Sequence, residues 1–141
     1  MSQQNVERAK EGIAAIQDAY ASDDIMPWRQ QVEKLFDPEV VLETGTEAFT
    51  EGEWRGYEGA VGFVANQMEV LKDMWMQAHQ YIDVDDDCLV VEITFGGRAR
   101  HTGIPVELHP FHVLRLRNGR FVRWQVFLQR EQALAAAGIS E

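Results

Sequence analysis

The sequence holds a single cysteine, Cys88, among 141 residues. No internal disulfide can form, so the core must stand without covalent staples, and the chain suits a reducing compartment. Basic residues are scarce: 13 Lys and Arg against 23 Asp and Glu give a net charge of −10. A surface of that sign repels phosphate backbones, so nucleic acid is not an expected partner. No apolar run approaches membrane-spanning length, and the opening MSQQNVERAKEG lacks the apolar centre of a leader peptide. The expectation is a cytoplasmic protein that does not engage membranes. Repeats, low-complexity tracts and Pro- or Gly-rich linkers are also missing, so one domain over residues 1–141 is expected. The stretch GGRARHTG has neither the spacing of a phosphate loop nor a helix after it.

What remains is an ordinary globular composition, 45% hydrophobic and 26% charged, long enough to bury a sizeable core. Val6, Ala9, Ile13, Ile16 and Tyr20 recur at helical spacing. After ASDD, Asp23 or Asp24 can cap a second helix with Pro27 in its first turn and Trp28, Val32, Leu35 and Phe36 facing inward. DPEVVLET reads as a strand and TEAFTEGEWRG as a polar loop. YEGAVGFVANQMEVLKD returns to helical spacing. Four strands follow, about Met74–Val84, Cys88–His101, Ile104–Arg117 and Phe121–Arg130, before a short helix in EQALAAAG that Gly138 can end. Helices come early and strands late, with hairpins between the strands. The fold class is α+β: a curved antiparallel sheet with helices on one side.

Polarity sets the register around PFHVLRLRNGRFVRWQVF. A two-residue turn at Asn118-Gly119 pairs Leu114 with Arg123 and His112 with Gln125 and puts apolar residues opposite polar ones along the whole ladder. A three-residue loop, Arg117 to Gly119 with a bulge at the glycine, pairs Leu114 with Val122 and His112 with Trp124. One face then carries Leu114, Leu116, Val122, Trp124, Val126 and Leu128, and the other carries Arg115 and Arg123. A tight turn at Thr102-Gly103 pairs Ile93 with His112 and leaves that face apolar. His112 is therefore expected to point inward between Ile93 and Trp124, with room for a further bulge at Gly96-Gly97. A buried imidazole needs a hydrogen-bond partner, and desolvation favours its neutral form.

Metal ligation is not expected. His109 and His112 in HPFH are three apart on a strand and so face opposite sides, and Asp85 to Asp87 reads as a solvated turn. His79 faces inward or outward depending on whether the turn at those aspartates has three residues or two.

The stretches WRGYEGAVGF and GRARHTGIPVELHPFHVLRLRNGRFVRWQVFLQREQALAAAGI, with the order of helices and strands, resemble the SnoaL-like family of the nuclear-transport-factor-2-like superfamily. The resemblance implies a cone-shaped cavity lined by the His112 face. It also implies cofactor-free acid–base chemistry of the polyketide cyclase, isomerase or dehydratase type on a hydrophobic carbonyl-bearing metabolite. The alternative it carries is a non-catalytic ligand-binding or association domain. By likeness to the distant ketosteroid isomerase, His112 falls at the oxyanion-donor position and Glu43, at the end of the first strand, at the general-base position. Tyr20 sits late on the first helix for a second donor. Trp124, Trp54, Phe63, Met68, Phe95 and Ile93 are the expected apolar walls. On the other sheet face, Val90, Phe111, Val113, Phe127, Trp75 and Tyr81 suggest a symmetric homodimer, as relatives pair through that face.

Overall fold

The structure is a computed structural model that describes residues 2–44 and 52–139. Helix α1 spans Ser2–Ser22 and α2 Met26–Leu35, followed by strands β1 (Phe36–Thr44) and β2 (Gly52–Arg55). Helix α3 (Gly56–Val70) leads into β3 (Leu71–Asp85), β4 (Cys88–Ala99), β5 (Pro105–Leu108), β6 (Phe111–Arg117) and β7 (Arg120–Phe127), and α4 (Arg130–Ala136) closes the chain. The α+β plan stands. Residues 45–51 of the expected polar loop lie outside the described residues, and Gly52–Arg55 form a strand rather than loop.

Helix α1 buries Ala9, Ile13, Ile16 and Tyr20, the stripe its spacing predicts. The residue capping α2 is Ile25, and Asp24 acts one place earlier, its carboxylate accepting from the Met26 N–H at 3.0 Å. Phe36 is fully buried but begins β1. Helix α4 ends as expected: Gly138 has φ +87°, the Ile139 N–H donates to the Leu134 carbonyl at 2.8 Å and the Gly138 N–H to the Ala135 carbonyl at 3.1 Å.

The strands lie in the order β2-β1-β7-β6-β4-β3, with β5 beside the far half of β4. The sheet is mixed, which corrects the all-antiparallel expectation: β1 runs parallel to β7, with Leu42 beside Trp124 and Thr44 beside Val126. The β6–β7 turn is the two-residue Asn118-Gly119, both residues at positive φ, and not a three-residue loop. A bulge between Arg115 and Leu116 on the pairing ladder then resets the register, so Leu116 faces Phe121, Leu114 faces Trp124 and His112 faces Val126. Phe121, fully buried, takes the inward place expected for Val122. The β4–β6 register is also displaced by two residues, with Val91 and not Ile93 opposite His112. A displacement of two preserves the face, so His112 points inward as expected.

No irregularity interrupts β4 at Gly96-Gly97. The bulges lie on the edge strand β3, including one between Lys72 and Trp75 where Asp73 has φ +52°. The two glycines permit close approach instead: a Cβ on Gly96 would meet the Val106 carbonyl oxygen at 2.6 Å, and one on Gly97 the Lys72 carbonyl oxygen at 2.7 Å.

Helices α1, α2 and α3 cover the concave face. Trp28, Phe36, Phe121 and Trp124 fill its closed end, with Phe36 stacked on Trp124 at 5.8 Å. The convex face carries α4. Ala133 and Ala137 pack with Cys88, Val90 and Val113, so two of the residues expected at a dimer interface are instead covered within the chain.

Candidate functional site

A hollow opens where the concave strands end. Its sheet wall is Thr44 from β1, Met76 from β3, Phe95 from β4, His112 from β6 and Val126 from β7, with Leu108, Pro110 and Leu128 at strand ends. Ile16 and Tyr20 of α1 and Phe63 and Gln67 of α3 roof it. About 30 Å³ is open to the centre of a water molecule, room for one or two waters. No ionised side chain lines it among the described residues.

His112 is 4% exposed. The Trp124 indole Nε1–H donates to its Nδ1 at 2.8 Å. That bond assigns the tautomer: Nδ1 is the acceptor and Nε2 carries the proton. Desolvation lowers the ring's pKa to about 3, so it is neutral at physiological pH. Nε2 has no hydrogen-bond partner among the described residues. The imidazole therefore presents a fixed N–H donor at an apolar hollow. Buried Tyr20 is the second such group. Its hydroxyl has no partner among the described residues, and burial pushes its pKa up, so it stays protonated. Two neutral donors, one from the sheet wall and one from the helical roof, therefore line the same hollow.

A family model for the SnoaL-like domain matches residues 13–124. The chain belongs to that family. No curated protein matches the chain by sequence. Among solved structures, it is similar to a candidate SnoaL-like polyketide cyclase from Jannaschia sp. CCS1, with 17% identity over 99% of this chain and 94% of that one and a TM-score of 0.72. TerC, co-crystallised with polyporic acid, shares 20% identity over 95% and 97% of the two chains at a TM-score of 0.68. A protein with a ketosteroid-isomerase-like fold from Catenulispora acidiphila, in complex with trimethylamine, shares 16% identity over 92% and 94% of the two chains at a TM-score of 0.67. These likenesses establish the fold of the SnoaL-like domain.

The expected site residues divide. His112, Phe63 and Phe95 line the hollow. Glu43 does not join them. Leu42 and Thr44 face inward, so Glu43 faces the convex side, where its Oε1 accepts from Arg123 Nη2 at 2.6 Å, Arg123 Nε at 3.2 Å and Gln125 Nε2 at 2.9 Å. Trp124 touches His112 from the core side, and Ile93 is fully buried in the same core. Trp54 packs edge-on against Phe63 at 5.5 Å, behind the wall. Met68 is half-buried, and its backbone carbonyl accepts from Arg100 Nη2 at 2.8 Å. Sequence reasoning puts Tyr20 on the buried stripe and Val126 on the inward face without naming either as a wall, and it passes over Thr44, which follows Leu42 by two strand positions. That spacing was the available signal.

Proposed function

We propose that this SnoaL-like domain takes a small hydrophobic, carbonyl-bearing molecule into the hollow and hydrogen-bonds its oxygen through neutral His112. The proposed chemistry is cofactor-free cyclisation, isomerisation or dehydration, with His112 as electrophilic donor and Tyr20 as second donor to the developing oxyanion. One observation carries the reading: an imidazole held neutral, its Nδ1 occupied by Trp124 and its Nε2–H free at an apolar hollow. The same bond removes His112 as general base, because its one basic nitrogen is already engaged. The sequence expectation of Glu43 as base has no support in its placement, since Arg123 and Gln125 hold it on the convex side.

The hollow admits a carbonyl group as it stands. A larger ligand needs lining side chains to turn aside, and a methionine such as Met76 does so readily. Polyporic acid and trimethylamine in the structural neighbours support a small-molecule role. A second reading, binding without turnover, is favoured by the lack of any lining carboxylate among the described residues.

A panel of small cyclic enones and phenols, titrated against Trp fluorescence with mass-spectrometric product analysis, tests both readings. Binding that weakens in His112→Leu and in Tyr20→Phe supports the shared acceptor site, and product formation separates enzyme from binder. Ligands that bind both variants as tightly as wild type would overturn it.

The homodimer belongs to the same proposal. With Val90 and Val113 under α4, the surface left for it is the rest of the convex face, where Trp75 is 43% exposed. Light scattering at micromolar concentration tests it, and a monomer contradicts it. A cytoplasmic setting is supported by the single buried, unpaired thiol of Cys88. No helix among the described residues is long and apolar enough to cross a membrane.

A further inference from the structure

A second polar cluster lies on the convex face, away from the hollow. His79 Nε2 and Thr94 Oγ1 are 2.6 Å apart, Thr94 Oγ1 and His109 Nδ1 are 3.1 Å apart, and His109 Nε2 stands 3.3 Å from Glu107 Oε2. Three adjacent strands build it. Thr94 on β4 faces Gln77 on β3. Continuing the β4–β5 register one step past Phe95 and Leu108 brings His109 opposite Thr94 on the other side. A bulge between Ala78 and Gln80 leaves His79 with no cross-strand partner, free to lean to the same hydroxyl.

The carboxylate sets the direction of the chain. The Glu107 carboxylate, 3.3 Å from His109 Nε2, favours the proton on that nitrogen, which leaves the Nδ1 lone pair for Thr94. A carboxylate behind one ring nitrogen, orienting the other, is the arrangement that supports metal-ligating histidines. Thr94 is 8% exposed, whereas the side chains of His109 and Glu107 are 67% and 56% exposed, and His79 is exposed too. A cation can therefore reach the two rings from solvent, and the net charge of −10 favours its approach.

The geometry points to a two-nitrogen site for a borderline divalent cation, with His79 Nε2 and His109 Nδ1 as ligands, Glu107 as the group that orients His109, and water completing the shell. Imidazole pairs suit copper(II), nickel(II) and zinc(II), copper most strongly. A cation bound by both nitrogens takes them from the Thr94 hydroxyl they now share, the two exposed rings rotating toward it on the solvent side. His79 gives up its Nε2 proton by shifting to the Nδ1–H tautomer. Among the described residues no three His, Cys, Asp or Glu side chains converge on one point, so the site is a chelate of two and exchanges its metal readily.

The test titrates the full chain with copper(II) and separately with zinc(II) by calorimetry, in wild type and in His79→Ala, His109→Ala, Glu107→Gln and, as an off-site control, His101→Ala. Each of the first two variants loses most of the binding, Glu107→Gln weakens it about tenfold, and His101→Ala leaves it unchanged. The copper(II) electron paramagnetic resonance spectrum of wild type shows coupling to two imidazole nitrogens. Binding unchanged in both His79→Ala and His109→Ala, or coupling to one imidazole only, overturns the site.

Discussion

The neutral state of His112 makes a stability prediction whose size follows from its burial. The ring's pKa falls from the usual 6.5 to about 3 in the folded chain, because 4% exposure leaves almost no water to solvate a charge. Unfolding restores the ordinary value. Between pH 6.5 and about 3 the unfolded chain therefore binds a proton that the folded chain refuses, and stability drops as pH falls through that window. The slope is about 1.4 kcal/mol per pH unit, so going from about pH 7.5 to about pH 5 costs about 2 kcal/mol from this group alone. His112→Gln removes the titration and keeps a side-chain oxygen able to accept from Trp124. Urea denaturation of both proteins at the two pH values, followed by circular dichroism, isolates the effect, because the carboxylates titrate alike in both. The wild type is expected to lose about 2 kcal/mol more than the variant over that interval. Equal losses would mean that the ring is solvated and titrates normally. The fixed Nε2–H donor would then go with it.

Two further outcomes follow from the fold. Gly96→Ala drives a Cβ to within 2.6 Å of the Val106 carbonyl oxygen, backbone that cannot turn aside, and should cost about 1–3 kcal/mol in chemical denaturation. Glu43→Gln breaks a partly exposed pair with Arg123, so it should shift stability by less than about 1 kcal/mol and leave ligand titration at the hollow unchanged. A large loss of ligand binding in that variant would return Glu43 to the site.

The inward face of His112 is legible in the sequence although both partner assignments are not. Ile93 and Val91 lie on one face of β4, and Trp124 and Val126 on one face of β7, so a displacement of two residues changes the partner and keeps the side. Polarity can therefore assign a face while leaving the exact pairing free. Phe121 takes the place expected for Val122 because the bulge leaves Val122 as the extra residue on β7, and composition alone does not say which of two adjacent apolar residues faces inward. The parallel pairing of β1 with β7 joins segments about eighty positions apart, and neither strand's composition encodes its neighbour. Glu43 is different. Strict alternation through Leu42 and Thr44 already puts it on the outer side, and only the likeness to ketosteroid isomerase draws it inward. Tyr20 reverses the lesson: its spacing marks it as buried, but only the assembled roof shows that it overlooks a space.

The seating of the first strand beside the last has a consequence for biosynthesis. A ribosome has already delivered Phe36–Thr44 when Arg120–Phe127 is still to be made, and at ordinary elongation speeds the interval is on the order of ten seconds. Val40 and Leu42, sealed from water in the finished molecule, meet solvent for that long with their principal neighbour unborn. Slow codons placed between the two segments should therefore lower the soluble yield, and a hydrophobic-segment chaperone should recover it.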